Sequence, residues 1–236
     1  MENIKKEDSL EEYQKKVAHN RRIKAQVQAI MSRAKNAGIP EKFMRVNQKG
    51  FESLLDPSYH KDVHKLSTYI YKHPLELMKK EFIVIDGGGV VERKRAGFAI
   101  LFRLISCDKY GTYKNGGELA HQLQSIRSFD QGEGRNDITQ ALRMVDNLFL
   151  AECTHGDFRN NFETGRFFDE ILTYRDDHTK PTIISFTNPL PVGNGAVNSE
   201  NEMTDTDRFG QYMCSISRSH KNNDKRFFKI RIKTDG

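Results

Sequence analysis

The chain has 236 residues, 36% of them hydrophobic and 30% charged, with a formal net charge of +6. That length suits one α/β domain with a short appendage, and no apolar run is long enough to cross a bilayer. The scattered cysteines Cys107, Cys153 and Cys214 argue against a disulfide framework or structural zinc, and the polar N-terminus lacks a signal-peptide core, so a cytoplasmic protein is expected.

Residues 7–36 read as a helix, capped by Asp8 or Ser9, with Glu11 and Glu12 in its first turn and Gly38-Ile39-Pro40 ending it. From Tyr13 to Asn36 every charge is positive, and the apolar positions (Val17, Ile23, Val27, Ile30, Met31) are too sparse to bury much of the helix. Such a segment suits a partner-binding arm or a solvated terminal helix. Residues 43–57 look irregular, and 58–72 read as a helix that His73-Pro74 ends or kinks. His60 and His64 stand four apart on that helix, a metal-binding spacing, but no third ligand is in sight and no metal is expected.

The chain is organised around residues 82–106. Phe82-Ile83-Val84-Ile85 reads as a buried strand, Gly87-Gly88-Gly89 as a tight loop, and the following Ala-, Leu-, Ile- and Phe-rich segment as a helix packed on the strand. Strand, glycine loop and helix is the context of a phosphate-binding P-loop, G-x-x-x-x-G-K-[ST]. Counted from Gly87, Glu92 replaces the second glycine, Arg93 the lysine and Lys94 the hydroxyl residue.

Downstream, turns surround a short segment at 109–117, a helix spans 118–128, and a polar loop covers 129–137 before a short helix at 138–144. A strand at 146–150 runs into Ala151-Glu152, and a helix at 159–175 follows, with Phe162, Phe167, Phe168, Ile171 and Leu172 as its apolar face. Pro181 opens a strand at 182–186 that ends at Thr187-Asn188-Pro189. A polar loop at 192–206, a helix at 207–217 and a last strand at 227–233 complete the chain, with a second basic stretch from Arg218 to Lys233. Strands alternating with helices imply a mainly parallel α/β sheet covered on both faces. Its ligand edge would join residues 87–94, Glu152 and Asn188. Cys153-Thr154-His155 beside Glu152 reads as a loop after a strand rather than a catalytic triad.

The order of these landmarks resembles the DnaC/DnaI/IstB group of AAA+ proteins, replicative helicase loaders and transposition helper ATPases, over about residues 37–233. Ala37-Gly38-Ile39-Pro40-Glu41-Lys42-Phe43 resembles the group's entry to its ATPase domain, and Gly117-Glu118-Leu119 its helix start after the second strand. Val145-Asp146-Asn147-Leu148-Phe149-Leu150 resembles the Walker B approach, Lys180-Pro181-Thr182-Ile183-Ile184 the sensor 1 strand, and Asp207-Arg208 the box whose arginine reaches a neighbouring subunit's nucleotide.

The resemblance implies an N-terminal arm (1–36) that docks on a hexameric DnaB-type replicative helicase. It also implies an AAA+ domain (37–236) that touches single-stranded DNA and associates with copies of itself or another loader. Gly87, Gly88, Gly89, Arg93, Lys94 and Asn188 would face nucleotide, with Glu152 as base and Arg208 as finger if hydrolysis survives. Tyr110, Tyr113 and Phe129 are candidate stacking rings for DNA.

Ala151 stands where the magnesium-holding carboxylate would be. Phosphoryl transfer relies on positioning and metal neutralisation, and losing one stabiliser costs on the order of 100- to 1000-fold in rate. The expectation is therefore a degenerate ATPase that at most holds ATP or ADP weakly. The alternatives are an unorthodox working ATPase, an IstB-like transposition helper, or a decoy of a host loader.

Overall fold

The apolar runs fold as strands in a computed structural model that describes residues 2–80, 82–126, 133–153, 162–186 and 227–234. The strands are β1 (Phe82–Gly87), β2 (Gly111–Asn115), β3 (Asn147–Cys153), β4 (Thr182–Phe186) and β5 (Phe227–Ile232). They pair in the order β2-β3-β4-β1-β5, and every strand pair is parallel. β1 opens on the apolar run Phe82–Ile85, and β4 is buried at every residue, because both faces of the sheet are covered. Ile83, Ile85, Phe149, Ala151, Ile183, Ile230 and Ile232 enter one core. Phe82, Val84, Leu148, Leu150 and Ile184 enter the other.

Helices segregate to the two faces. The first core is closed by α6 (Val90–Ile105) together with α2 (Glu41–Met44), α3 (Gln48–Glu52), α4 (Val63–Lys72) and α5 (Pro74–Leu77). The second is closed by α7 (Gly116–Ile126), α8 (Glu133–Met144) and α9 (Phe162–Asp177), through Leu119, Leu142, Ile171 and Leu172. The expected parallel sheet covered on both faces is what the chain forms.

α6 lies close to β3 because Gly97 has no side chain: a Cβ there would clash with Phe149 Cζ and stand 2.5 Å from Cε1 and Cε2. Helix propensity favours Ala over Gly by about 1 kcal/mol, whereas overpacking a core costs about 1–3 kcal/mol. The ring is fully buried and packed edge-on to Phe98 at 5.4 Å, so overpacking wins. Gly97→Ala is expected to lose about 1–2 kcal/mol in urea unfolding; an unchanged or higher midpoint would show that α6 can lift off the sheet.

α1 (Glu2–Asn36) begins earlier than the sequence suggested, since neither Asp8 nor Ser9 interrupts it. Residues 14–29 are exposed apart from half-buried Val17. Its end is anchored: Ala34 is buried, Arg33 pairs with Asp108 at 2.7 Å, and the Tyr113 N–H donates to Ala37 O at 2.9 Å.

Several boundaries differ from the sequence reading. Residues 43–57 are not irregular but hold the end of α2 and all of α3, where the Asn47 side chain caps by accepting from Gly50 N. The helix expected from residue 58 starts at Val63, because Asp56 binds the Ser58 N–H and hydroxyl in a turn and Asp62 accepts from Lys65 N. His60 is therefore off that helix. Pro74 opens α5 from its first position rather than only ending α4, and α8 takes in residues 133–137 of the expected polar loop. Among the described residues no helix is long and apolar enough to cross a membrane, and no group of three metal-ligating side chains occurs.

Candidate nucleotide site

At the carboxyl edge of the sheet only Gly88 and Gly89 separate β1 from α6, and Gly89 is the helix N-cap. Gly87 (φ +76°) and Gly88 (φ +55°) adopt left-handed backbone, open to glycine without a Cβ penalty. They also pass close under β5: a Cβ on Gly87 would meet Ile232 O at 2.5 Å, and one on Gly88 would meet Ile232 Cγ2 at 2.5 Å. The glycines thus serve a tight turn against the neighbouring strand. Glu92, Arg93 and Lys94 lie inside the first turns of α6 rather than on a loop.

Arg93 turns inward and is only 3% exposed. Its Nη1 donates to Gly88 O at 2.6 Å and Gly87 O at 3.0 Å. Its Nε and Nη2 form a fork onto Glu152, to Oε1 at 3.1 Å and Oε2 at 2.6 Å. Bidentate guanidinium–carboxylate pairs of this kind are strong and geometrically selective.

Glu152 reaches this position through an unusual backbone. It has φ +56° and sits where the β3–β4 register shifts between Leu150 and Cys153. Such a conformation costs on the order of 1–3 kcal/mol and persists where neighbours over-determine it. Ser185 on β4 supplies that constraint: its hydroxyl accepts the Glu152 N–H at 2.9 Å and donates to Glu152 Oε1 at 3.2 Å. Both carboxylate oxygens are therefore engaged. Ala151 is fully buried in the core that α6 covers, so it brings no metal-holding oxygen to the edge.

A second ionic cluster lies beside the first. Asp86, fully buried, accepts from Arg231 Nε and Nη2 at 3.1 Å each, and Lys229 Nζ stands 2.9 Å away. The Asp86 hydrogen bond raises the Arg231 pKa. The Arg231 guanidinium lies over the Tyr59 ring, 4.8 Å from its centroid. The His60 Nε2 accepts the Arg231 N–H at 3.0 Å, and burial lowers the imidazole pKa. At least these two cations of the carboxyl-terminal basic stretch face inward, not toward a polyanion. The half-buried Lys94 is on α6.

The two described candidate rings for DNA separate. Tyr113 is half-buried and packs against Phe98 and Phe149, at 4.7 and 5.5 Å. Tyr110 is 66% exposed, but it precedes β2 at the opposite edge of the sheet from Arg93. Asn188, Arg208, Phe129 and His155 lie outside the described residues. Sequence reasoning missed Ser185, whose role depends on the bulge opposite it. It also missed the Asp86–Arg231 pair, although Lys229 and Arg231 alternate with Phe228, Ile230 and Ile232 in a visible period of two.

No protein-family model and no curated protein matches the chain. Among solved structures it is similar to DnaI, at 14% identity and a TM-score of 0.50, covering 82% of this chain and 90% of that one. It is equally similar to the DnaC helicase loader, at 15% identity and a TM-score of 0.50, covering 81% of this chain and 99% of that one. The likeness is one of fold: the chain shares the parallel α/β architecture of these proteins, with an N-terminal helix before it.

Proposed function

We infer that the chain is a helicase-loader-like AAA+ module that binds a hexameric replicative helicase of the DnaB type and works without ATP hydrolysis. The observation that carries this reading is the inward fork of Arg93 onto Glu152. The general base expected of an ATPase is a counter-ion here, and Ala151 offers magnesium no ligand. The fold likeness to DnaI and to the DnaC helicase loader supports the loader part of the reading.

On this reading α1 is the arm that engages the helicase. Ile23 and Val27 are 44% and 52% exposed, and the stripe continues through Ile30 to the buried Ala34. Basic residues flank that stripe, which suits a groove with an acidic rim. Contact with single-stranded DNA would use the accessible Tyr110.

The test is capture of the hexameric replicative helicase by the full chain, with Ile23→Asp/Val27→Asp as the control. Loss of an interface anchor commonly costs about 2 kcal/mol or more, so at least tenfold weaker capture is expected, at an unchanged unfolding temperature. Capture of a transposase instead would replace the loader reading with the transposition-helper one. In parallel, the chain with helicase and single-stranded DNA is expected to show no magnesium-dependent ATP hydrolysis. Hydrolysis abolished by Glu152→Gln would overturn that part of the reading.

A further inference from the structure

At the β1–α6 turn the Arg93 guanidinium is met by acceptors at each of its nitrogens. Gly87 O, Gly88 O and both oxygens of Glu152 converge on one point, and all of them meet the Arg93 side chain. Such a set of acceptors suits a planar cation. The acceptors come from the end of β1 and the turn after it and from β3, with Ser185 of β4 fixing Glu152 from behind. Four segments are thereby tied to one guanidinium: the β1 turn, the first turn of α6, β3 and β4. In a ligand-gated site that junction is completed by a diffusible molecule. Here the group that completes it is part of the chain.

We propose that Arg93 is an internal ligand: its guanidinium closes the β1–α6 turn onto β3 and β4 and holds the module in one state that needs no nucleotide. The proposal rests on the reading that the site does not turn over ATP. It implies that deleting the side chain leaves a vacant guanidinium-binding site. A lysine would not replace it, because an ammonium cannot reach two carbonyls and fork onto a carboxylate together.

The test is hydrogen–deuterium exchange of the full chain at residues 87–93 and 150–153. The forms compared are wild type, Arg93→Ala and Arg93→Lys, each with millimolar guanidinium chloride or with sodium chloride at equal ionic strength. Both variants are expected to exchange on the order of tenfold faster at these segments, the scale of coupling between linked sites. Guanidinium, and not sodium, restores protection to Arg93→Ala and leaves wild type unchanged. Wild-type protection in either variant, or no difference between the two salts in Arg93→Ala, overturns the proposal. If Arg93→Ala does not fold, Arg93→Lys decides alone. Added protection of wild type by ATP with magnesium also overturns the proposal, whereas magnesium-dependent ATP hydrolysis by wild type overturns the underlying reading instead, so the two failures register in different measurements.

Discussion

Arg175→Met is expected to destabilise the chain by about 3–5 kcal/mol, because several buried acceptors lose one shared donor group at about 1–3 kcal/mol each. Arg175 projects from α9 and is fully buried. Its Nε donates to Thr182 Oγ1 at 2.8 Å, its Nη1 to Leu142 O and Val145 O at 2.9 and 2.8 Å, and its Nη2 to Pro181 O and Asp146 O at 2.7 and 3.2 Å. The guanidinium thus joins the end of α8, the entry to β3 and the entry to β4. Leu142 lies in the last turn of α8, where carbonyls lack helical partners and a cation is favoured. Burial draws the Arg175 pKa down to about 9, opposed by the charge of Asp146, so the side chain stays protonated at neutral pH.

Methionine recovers the desolvation of the guanidinium but leaves those carbonyls without their donor, at about 1–3 kcal/mol for each one that water cannot reach. The second effect is larger because several acceptors converge on one donor group. The checking measurement is urea unfolding together with the thermal midpoint, which should fall by on the order of 10 °C for a chain of this size. Arg175→Lys keeps a charge but loses the fork, and belongs between wild type and Met. A loss below about 1 kcal/mol for Met would mean the carbonyls find other donors.

The contrast between what sequence revealed and what it hid follows from range. Residues 82–85 and 182–186 announce buried strands because every residue in them is apolar or small, whichever face it takes. The short helices α2 and α3 are hidden because Gly50 and the Asp56-Pro57 pair dominate local reading, while Phe51 and Met44 are held by the core. At the site, Gly87 to Gly89 and Glu152 are legible as strand ends.

Which way Arg93 points is not legible. An arginine at a helix start after three glycines suits an anion equally well. Its orientation is decided by Glu152, 59 residues away, and by a left-handed backbone at a residue type that rarely takes one. Arg175 is hidden for a similar reason. A basic residue in the last turn of a helix usually reads as a solvated cap, and only the packing of α8 beside α9 on the same face of the sheet turns it inward.

Breaking the Arg93–Glu152 pair from either side is the second large effect expected. Glu152→Ala leaves a nearly buried guanidinium with only two carbonyls, and Arg93→Met leaves a carboxylate 10% exposed beside them. Each single change should lose about 3–5 kcal/mol. The Ala variant also keeps the strained φ, so Glu152→Gly should be less damaging than Ala by about 1 kcal/mol. Removing both charges together in Arg93→Met/Glu152→Ala eliminates the uncompensated ion that makes each single change costly. The double variant should therefore lose less than the sum of the singles by about 1–3 kcal/mol, the usual coupling between residues in contact. Equilibrium unfolding of the four proteins measures this directly, and strict additivity would mean that the two charges do not compensate one another. The sign of that coupling separates two roles for the carboxylate. A general base on an ATPase edge is a destabilising group kept for rate, and its removal leaves stability equal or higher. A counter-ion for a buried arginine is kept for the fold, and its removal is felt in the unfolding curve before any activity is assayed.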